Sequence, residues 1–133
     1  MALIVGAVLA FAVGAFATLL RLDRERSFYA TVAIVVATYY VLFAAMGAPA
    51  EVLVVEILIA SVFALAASVG FLRSPWIVVA ALAGHGIQDL FHDSIVHNAG
   101  VPAWWPHFCM AYDAAASIYL ACLIRVRRAS AAA

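Results

Sequence analysis

Residues 74–97 form an apolar stretch whose second half contains histidine and aspartate side chains at helical spacing. His85, Asp89 and His92 occupy positions i, i+4 and i+7, so on a helix their side chains project from one face. Two imidazoles and a carboxylate are ligands typical of Zn²⁺ and iron sites in proteins. The spacing therefore predicts a site for a divalent transition metal.

The apolar stretches on either side of this helix supply two further carboxylates. Glu56 lies inside the preceding stretch, and Asp113 lies in the following one. Helical geometry places Asp113 at about the depth of Asp89. We therefore predict one pocket between three helices, which opens toward the outer surface and holds a metal ion. The four predicted metal ligands are His85, Asp89, His92 and Asp113.

Other side chains near this pocket have different expected roles. Glu56 or Asp93 would act as the general base of a hydrolytic reaction, and Asp93 could instead orient a ligand histidine. Cys109 shares a helix face with Asp113, and we interpret it as a small packing residue. His97 and His107 are expected near the outer surface. The alternative to the whole site is a buried His/Asp network without a metal, which would fix the register of the helices.

The composition predicts that the helices cross a membrane. Hydrophobic residues make up 69% of the 133 and charged residues only 11%, unlike the composition of a soluble domain. At about 20 residues per span, we predict an all-α bundle of five transmembrane helices. It forms one domain, residues 1–128, followed by a flexible tail, residues 129–133. The expected spans are residues 2–20, 28–47, 51–72, 75–97 and 106–125.

Rows of small residues predict which helix faces pack closely. Gly6, Ala10 and Gly14 recur every four residues in the first span, a pattern that lets a neighbouring helix approach. Glu56 heads a similar row in the third span. That row continues with Ala60, Ala64 and Ser68. Packing of this row against another helix would turn Glu56 toward the interior of the bundle.

The arginines predict how the bundle is oriented. All seven basic residues are arginines, and they lie at positions 21–26, 73 and 125–128. In a five-span chain these segments share one side of the membrane, and the connections on the other side contain no basic residue. The positive-inside rule then predicts an outer N-terminus and a cytoplasmic C-terminus. The net charge is zero, so nucleic acid is not an expected partner.

The order of the polar residues resembles a family of small bacterial integral membrane proteins of uncharacterised function. The pattern consists of Glu56, His85-Gly-Ile-Gln-Asp89-Leu-Phe-His92, a proline in the next loop, and Cys109-Met-Ala-Tyr-Asp113. It covers residues 52–121. In that family a second histidine often stands where this chain has Asp93, and a cysteine often stands where it has Tyr112. The resemblance implies that the motif residues form one unit in a bacterial inner membrane.

Three functions are open at this point. A metal-dependent hydrolase acting on a lipid or another apolar molecule is favoured, because a bound Zn²⁺ lowers the pKa of its water to about 7. The second is transport of protons or metal ions along the same carboxylates and imidazoles. The third is an accessory membrane subunit whose polar cluster only holds the helices together. The faces of small residues would suit a homo-oligomer in this case.

Overall fold

A computed structural model describes residues 1–132, which contain five α-helices, one short 3₁₀ turn and no strand. The all-α class predicted from the sequence is confirmed. The elements are α1 Ala2–Leu19, the 3₁₀ turn Leu22–Arg24, α2 Ser27–Gly47, α3 Ala50–Leu72, α4 Pro75–Ile95 and α5 Trp105–Ala132.

The helix ends follow local chemistry. Ser74 precedes α4 in an extended conformation and Pro75 occupies its first turn, where the missing N–H of proline costs nothing. The helix ends at Ile95 instead of continuing to residue 97, because Val96 is extended (φ −140°, ψ 115°). At the other end of the chain α5 passes residue 125 and continues to Ala132. Residues 129–132 of the predicted tail are therefore helical, and residue 133 lies outside the described part.

The helices pack around α4. Helix α1 lies against α5, α5 against α4, α4 against α3, and α3 against α2, while α2 also touches α4. Three helices thus surround α4, and its buried face includes His85, Asp89 and His92. Its opposite face exposes Ile87, Leu90, Phe91 and Ile95. This arrangement, polar inside and apolar outside, is the one a hydrocarbon surrounding favours.

Four of the helices are long and apolar enough to cross a membrane: α1, α2, α3 and α5. Helix α4 has 21 residues, but it is not one of the four because its second half is polar. The chain therefore has the character of a membrane protein. The fifth span and the direction of insertion stay predictions.

The predicted close-packing face of α1 is confirmed. Gly6, Ala10 and Gly14 are buried, and a Cβ added at Gly6 would overlap the carbonyl oxygen of Phe108 in α5. The prediction for the row of small residues in α3 is confirmed for its first two members, because Glu56 and Ala60 are buried, but Ser68 at the end of the row is exposed. A four-residue step advances about 40° beyond a full helical turn, so the fourth member of such a row leaves the buried face.

One polar cluster ties α5 to the turn after α1. Asp23 is buried, its carboxylate lies 2.9 Å from the Arg127 guanidinium, and it accepts a hydrogen bond from Thr18 at 2.6 Å. Arg127 also donates to the Asp23 backbone carbonyl at 2.8 Å. The segment 21–26 and the C-terminal end of α5 therefore lie at the same end of the bundle, which we call the arginine end. The loop between α4 and α5 lies at the opposite end.

Candidate metal centre

The centre of the bundle brings together four side chains that can bind a metal ion. His85 and Asp89 come from α4, and Cys109 and Asp113 come from α5; one ligand atom of each lies within 4.8 Å of all the others. His85 Nδ1 is 2.6 Å from Asp113 Oδ2 and 3.6 Å from Asp89 Oδ2. The Cys109 thiol points at Asp113 Oδ2 across 3.9 Å. We call these four residues the inner site.

Two oxygen atoms of the inner site receive no hydrogen bond from the described residues. Asp89 Oδ2 and Asp113 Oδ1 are fully buried, and neither receives a hydrogen bond within residues 1–132. Both side chains are 0% exposed. Even with a protonated imidazole at His85, two ionised carboxylates would leave one uncompensated negative charge here. Burying such a charge costs several kcal/mol or more unless a proton or a cation balances it.

A second imidazole and carboxylate pair lies beside the inner site. His92 Nε2 is 2.9 Å from Glu56 Oε1, so α4 and α3 are joined by this contact. The same oxygen accepts a hydrogen bond from Asn98 Nδ2 at 2.9 Å. All three side chains are buried. Asn98 thus fixes the carboxylate of Glu56 from the loop that follows α4.

Tyr40 of α2 connects the two groups. Its hydroxyl donates to Asp89 Oδ1 at 2.7 Å, and its ring stacks on the His92 ring with centroids 3.9 Å apart. Asn98 also donates to the Tyr40 carbonyl at 3.2 Å. One aromatic side chain therefore positions a carboxylate of the inner site and the imidazole of the second pair.

Glycines allow the close approach that this geometry needs. Gly86 follows His85 and faces α5, where an added Cβ would lie only 3.3 Å from Asp113 Cβ and from the Met110 carbonyl oxygen. Gly100 lies against α2, and an added Cβ would overlap the Phe43 carbonyl oxygen. The first glycine brings α4 to α5 at the inner site. The second brings the α4–α5 loop onto α2, beside the Tyr40 carbonyl that Asn98 contacts.

A cavity of about 470 Å³ opens at the end of the bundle opposite the arginines, and we call it the vestibule. Its apolar lining comes from Leu90 and the α4–α5 loop. Its polar lining consists of Asp89, His92, Asp93, His97, Asn98 and His107. Asp89 of the inner site and His92 of the second pair therefore border the same cavity, with the Asp89 side chain buried behind its wall.

The structure distributes the predicted site residues over three places. His85, Asp89 and Asp113 lie in the inner site, as the predicted pocket requires. His92 does not share that group of donors; it contacts Glu56. Asp93 is exposed and lies 2.9 Å from His97 Nδ1. The catalytic and ligand roles assigned to all of them stay predictions.

Sequence reasoning missed Tyr40 and Asn98, and it gave Cys109 a packing role although the resemblance grouped Cys109 with the other motif residues. Cys109 was interpreted as packing, yet its sulfur lies among the donors of the inner site. Tyr40 carried a signal, because a tyrosine hydroxyl about 10 Å inside an apolar helix needs a partner. Asn98 carried none, since Asn98-Ala99-Gly100 has the composition of an ordinary turn.

Comparison with known proteins adds no relative. No family model, no curated protein and no solved structure matches the chain. The resemblance to small bacterial membrane proteins therefore stays a prediction, and the geometry of the site carries the functional argument alone.

Proposed function

We propose that this protein is a metal-dependent membrane hydrolase whose inner site holds one divalent transition-metal ion. The observation that carries the proposal is the pair of buried carboxylate oxygens, Asp89 Oδ2 and Asp113 Oδ1, which receive no hydrogen bond within residues 1–132 and lie beside the His85 imidazole. A bound cation would satisfy both oxygens and balance their charge. A buried acceptor without a donor costs free energy, so a cation or a water molecule is expected beside these two oxygens.

The donor set favours Zn²⁺ or iron over calcium or magnesium. One imidazole, one thiol and two carboxylates combine nitrogen, sulfur and oxygen donors, whereas hard cations prefer oxygen alone. His85, Asp89 and Asp113 would hold the ion. A metal held by three protein ligands retains a position for water or substrate.

The second pair would supply acid–base chemistry. His92 borders the vestibule together with Asp89, and its partner carboxylate, Glu56, is fixed by a hydrogen bond from Asn98. In ester hydrolysis the metal supplies Lewis acidity at the carbonyl. The Glu56–His92 pair takes a proton from water while the water oxygen bonds to the carbonyl carbon. The bond to the leaving alkoxide then breaks, and the same proton passes to that alkoxide.

The location of the vestibule suggests an apolar or lipid substrate. The exposed side chains of Leu90 and Phe91 on α4 would face hydrocarbon next to the cavity in a membrane. An acyl ester could therefore approach from the bilayer while its carbonyl group reaches the vestibule. Asp93 lies at the rim with His97, so Glu56 is the better candidate for the base.

Metal content tests the first half of the proposal. We expect the purified full-length chain to retain about one Zn²⁺ or iron ion per molecule after dialysis, as measured by inductively coupled plasma mass spectrometry. Asp113→Asn should lose the ion, because an amide cannot replace the anionic donor. Glu51→Gln, which changes an exposed carboxylate outside the inner site and outside the vestibule lining, is the matched control. Absence of a stoichiometric ion from the unmodified protein would refute the proposal.

Hydrolysis tests the second half. We expect metal-loaded protein in detergent micelles to cleave p-nitrophenyl octanoate, and Glu56→Gln to reduce the rate about 10²–10⁴-fold, as expected for loss of a general base. The metal content of this variant should stay near that of the unmodified chain. Equal rates for both proteins would remove Glu56 from the mechanism.

Transport of protons or metal ions is less well supported by the geometry. The polar contacts from Asn98 to Asp113 do not continue toward the arginine end within residues 1–132. The buried side chains between the inner site and the Asp23–Arg127 contact include the apolar Val78, Leu82, Ala67 and Leu120, and the buried Ser117 hydroxyl donates to the Ala114 carbonyl of its own helix. An ion that entered through the vestibule would meet a closed apolar layer. Proton or Zn²⁺ flux into proteoliposomes that disappears in Asp89→Asn would reverse this preference.

We further propose that all five helices span a bacterial inner membrane, with the arginine end in the cytoplasm. The charge distribution supports this orientation, and the Asp23–Arg127 contact places two of the three arginine segments together. The vestibule would then open to the outside. A reporter enzyme fused after residue 133 should be active only in the cytoplasm, and activity only outside the cell would refute the orientation. Association into a homo-oligomer stays a prediction.

A further inference from the structure

We propose that the metal ion reaches the inner site through the vestibule, and that the exposed Asp93–His97 pair captures it at the rim. This inference rests on the proposed function, because it requires that the inner site binds a metal. The capture pair consists of an imidazole nitrogen and a carboxylate oxygen 2.9 Å apart. Both side chains are more than four-fifths exposed, at 82% and 83%.

The first argument is continuity between the rim and the inner site. Asp93, His97 and Asp89 line the same cavity. Asp89 is also a member of the inner site, and its Oδ2 atom is buried without a hydrogen-bond partner in the described part of the chain. An ion at the floor of the vestibule therefore lies next to a residue of the inner site, whose carboxylate is buried behind that floor.

The second argument is the charge of the vestibule. Its ionisable lining consists of two aspartates and three histidines, and no arginine contributes to it in residues 1–132. All seven arginines lie in segments that we assign to the opposite end. A cleft of one charge sign with low-dielectric walls concentrates counterions and raises their association rates about 10–10³-fold. Metal capture requires neutral imidazoles, and with these neutral the lining carries only carboxylate charge, so the field favours a cation over an anionic molecule at this opening.

The third argument is that the opposite approach is closed. On the arginine side of the inner site, Leu82 and Ala67 are 0% exposed and Val78 is 2% exposed. A hydrated cation would have to cross this apolar layer without a ligand. Loading from the vestibule end needs no such step.

The experiment measures loading rates on the metal-free full-length chain in detergent micelles. Zn²⁺ is presented on a fluorescent zinc indicator, and the loss of indicator fluorescence follows its transfer to the protein. We expect Asp93→Asn and His97→Gln each to slow association severalfold, and the double variant about tenfold. Dissociation into excess chelator should slow by a similar factor. The equilibrium affinity should stay within about twofold, because the inner-site donors are unchanged.

Glu51→Gln is the matched control. It removes one exposed carboxylate at the same end of the bundle, in the first turn of α3 and outside the vestibule lining. Its loading rate should equal that of the unmodified protein. The capture role would be overturned if the double variant loaded Zn²⁺ as fast as the unmodified protein. It would also be overturned if Glu51→Gln slowed loading as much as the double variant does. Failure of the unmodified chain to bind Zn²⁺ at all would instead overturn the proposed function, so the two failures are distinguishable.

Discussion

At the scale of single residues, the site depends on side chains that receive their position from a neighbour. Tyr40 holds Asp89 through its hydroxyl and His92 through its ring. Partners that orient a metal ligand typically change metal affinity about 10–100-fold when they are removed. Tyr40 is therefore expected to influence metal binding although its oxygen is not among the inner-site donors.

We predict that Tyr40→Phe lowers the affinity for Zn²⁺ about 10–100-fold, because Asp89 loses the donor that fixes its orientation. Competition with a zinc chelator of known affinity measures this effect. Tyr39→Phe is the matched control, since Tyr39 lines a separate apolar groove between α1, α2 and α5. A smaller effect in Tyr40→Phe than in Tyr39→Phe would contradict the positioning role.

Cys109 allows a spectroscopic prediction. If its sulfur binds the metal, Co²⁺-loaded protein should show a near-ultraviolet thiolate-to-cobalt absorption band, and Cys109→Ala should abolish that band. Cys122→Ser should leave it unchanged, because Cys122 is exposed and distant from the donor group. Persistence of the band in Cys109→Ala would show that the sulfur ligand lies elsewhere. Absence of the band from loaded unmodified protein would return Cys109 to a packing role.

At the scale of helices, small residues decide which elements meet. Gly6 lets α1 lie directly on the backbone of α5, where any Cβ would overlap the Phe108 carbonyl oxygen. Gly86 does the same, less tightly, between α4 and α5. Close packing is the main attraction between helices in lipid, because hydrocarbon surrounds them on every other side. These contacts therefore hold α5 in the position that presents Asp113 and Cys109.

We predict that Gly6→Ala destabilises the fold by about 1–3 kcal/mol, the usual cost of overpacking a close contact. Thermal unfolding followed by circular dichroism in one detergent measures the loss. Gly84→Ala is the matched control, because its added Cβ would lie 3.7 Å from Phe63, an ordinary contact distance. This control should be neutral or slightly more stable. Equal melting temperatures for both variants would contradict the close contact between α1 and α5.

At the scale of the whole molecule, the two ends of the bundle differ. The arginine end is closed by apolar packing and by the Asp23–Arg127 ion pair, whereas the opposite end contains the vestibule. The ion pair joins the turn after α1 to the last turns of α5, which are 104 residues apart in sequence. It therefore stabilises the closure of the bundle between its first and last helices.

We predict that Arg127→Gln lowers the free energy of unfolding by about 1–3 kcal/mol, because Asp23 stays buried with one fewer donor. Thr18 would still donate to it, which keeps the loss below that of a fully isolated charge. Arg128→Gln removes the same charge from an exposed neighbour outside this ion pair and should change stability little. Chemical denaturation of both variants in the same detergent distinguishes the two outcomes. Equal stability would show that the pair is dispensable.

The sequence by itself determined the helices, their approximate ends other than the C-terminal end of α5, and the inward face of α4. These properties depend on hydropathy and on a helical period, which are local and can be counted along one segment. The same period placed His85, Asp89 and His92 on one face, and depth along the helix predicted that Asp113 would lie near Asp89. The first statement concerns a single helix. The second compares only the depths of two residues along neighbouring helices.

Only the tertiary structure decided which partners these side chains choose. His92 turns to Glu56, His85 turns to Asp113, and Tyr40 stands between the two groups. Those choices depend on the rotation of each helix about its axis and on interhelical distances set by glycine contacts such as Gly86. A pattern within one segment contains neither quantity. The fold class was therefore predictable from periodicity, while the division into an inner site and a second pair required the packed bundle.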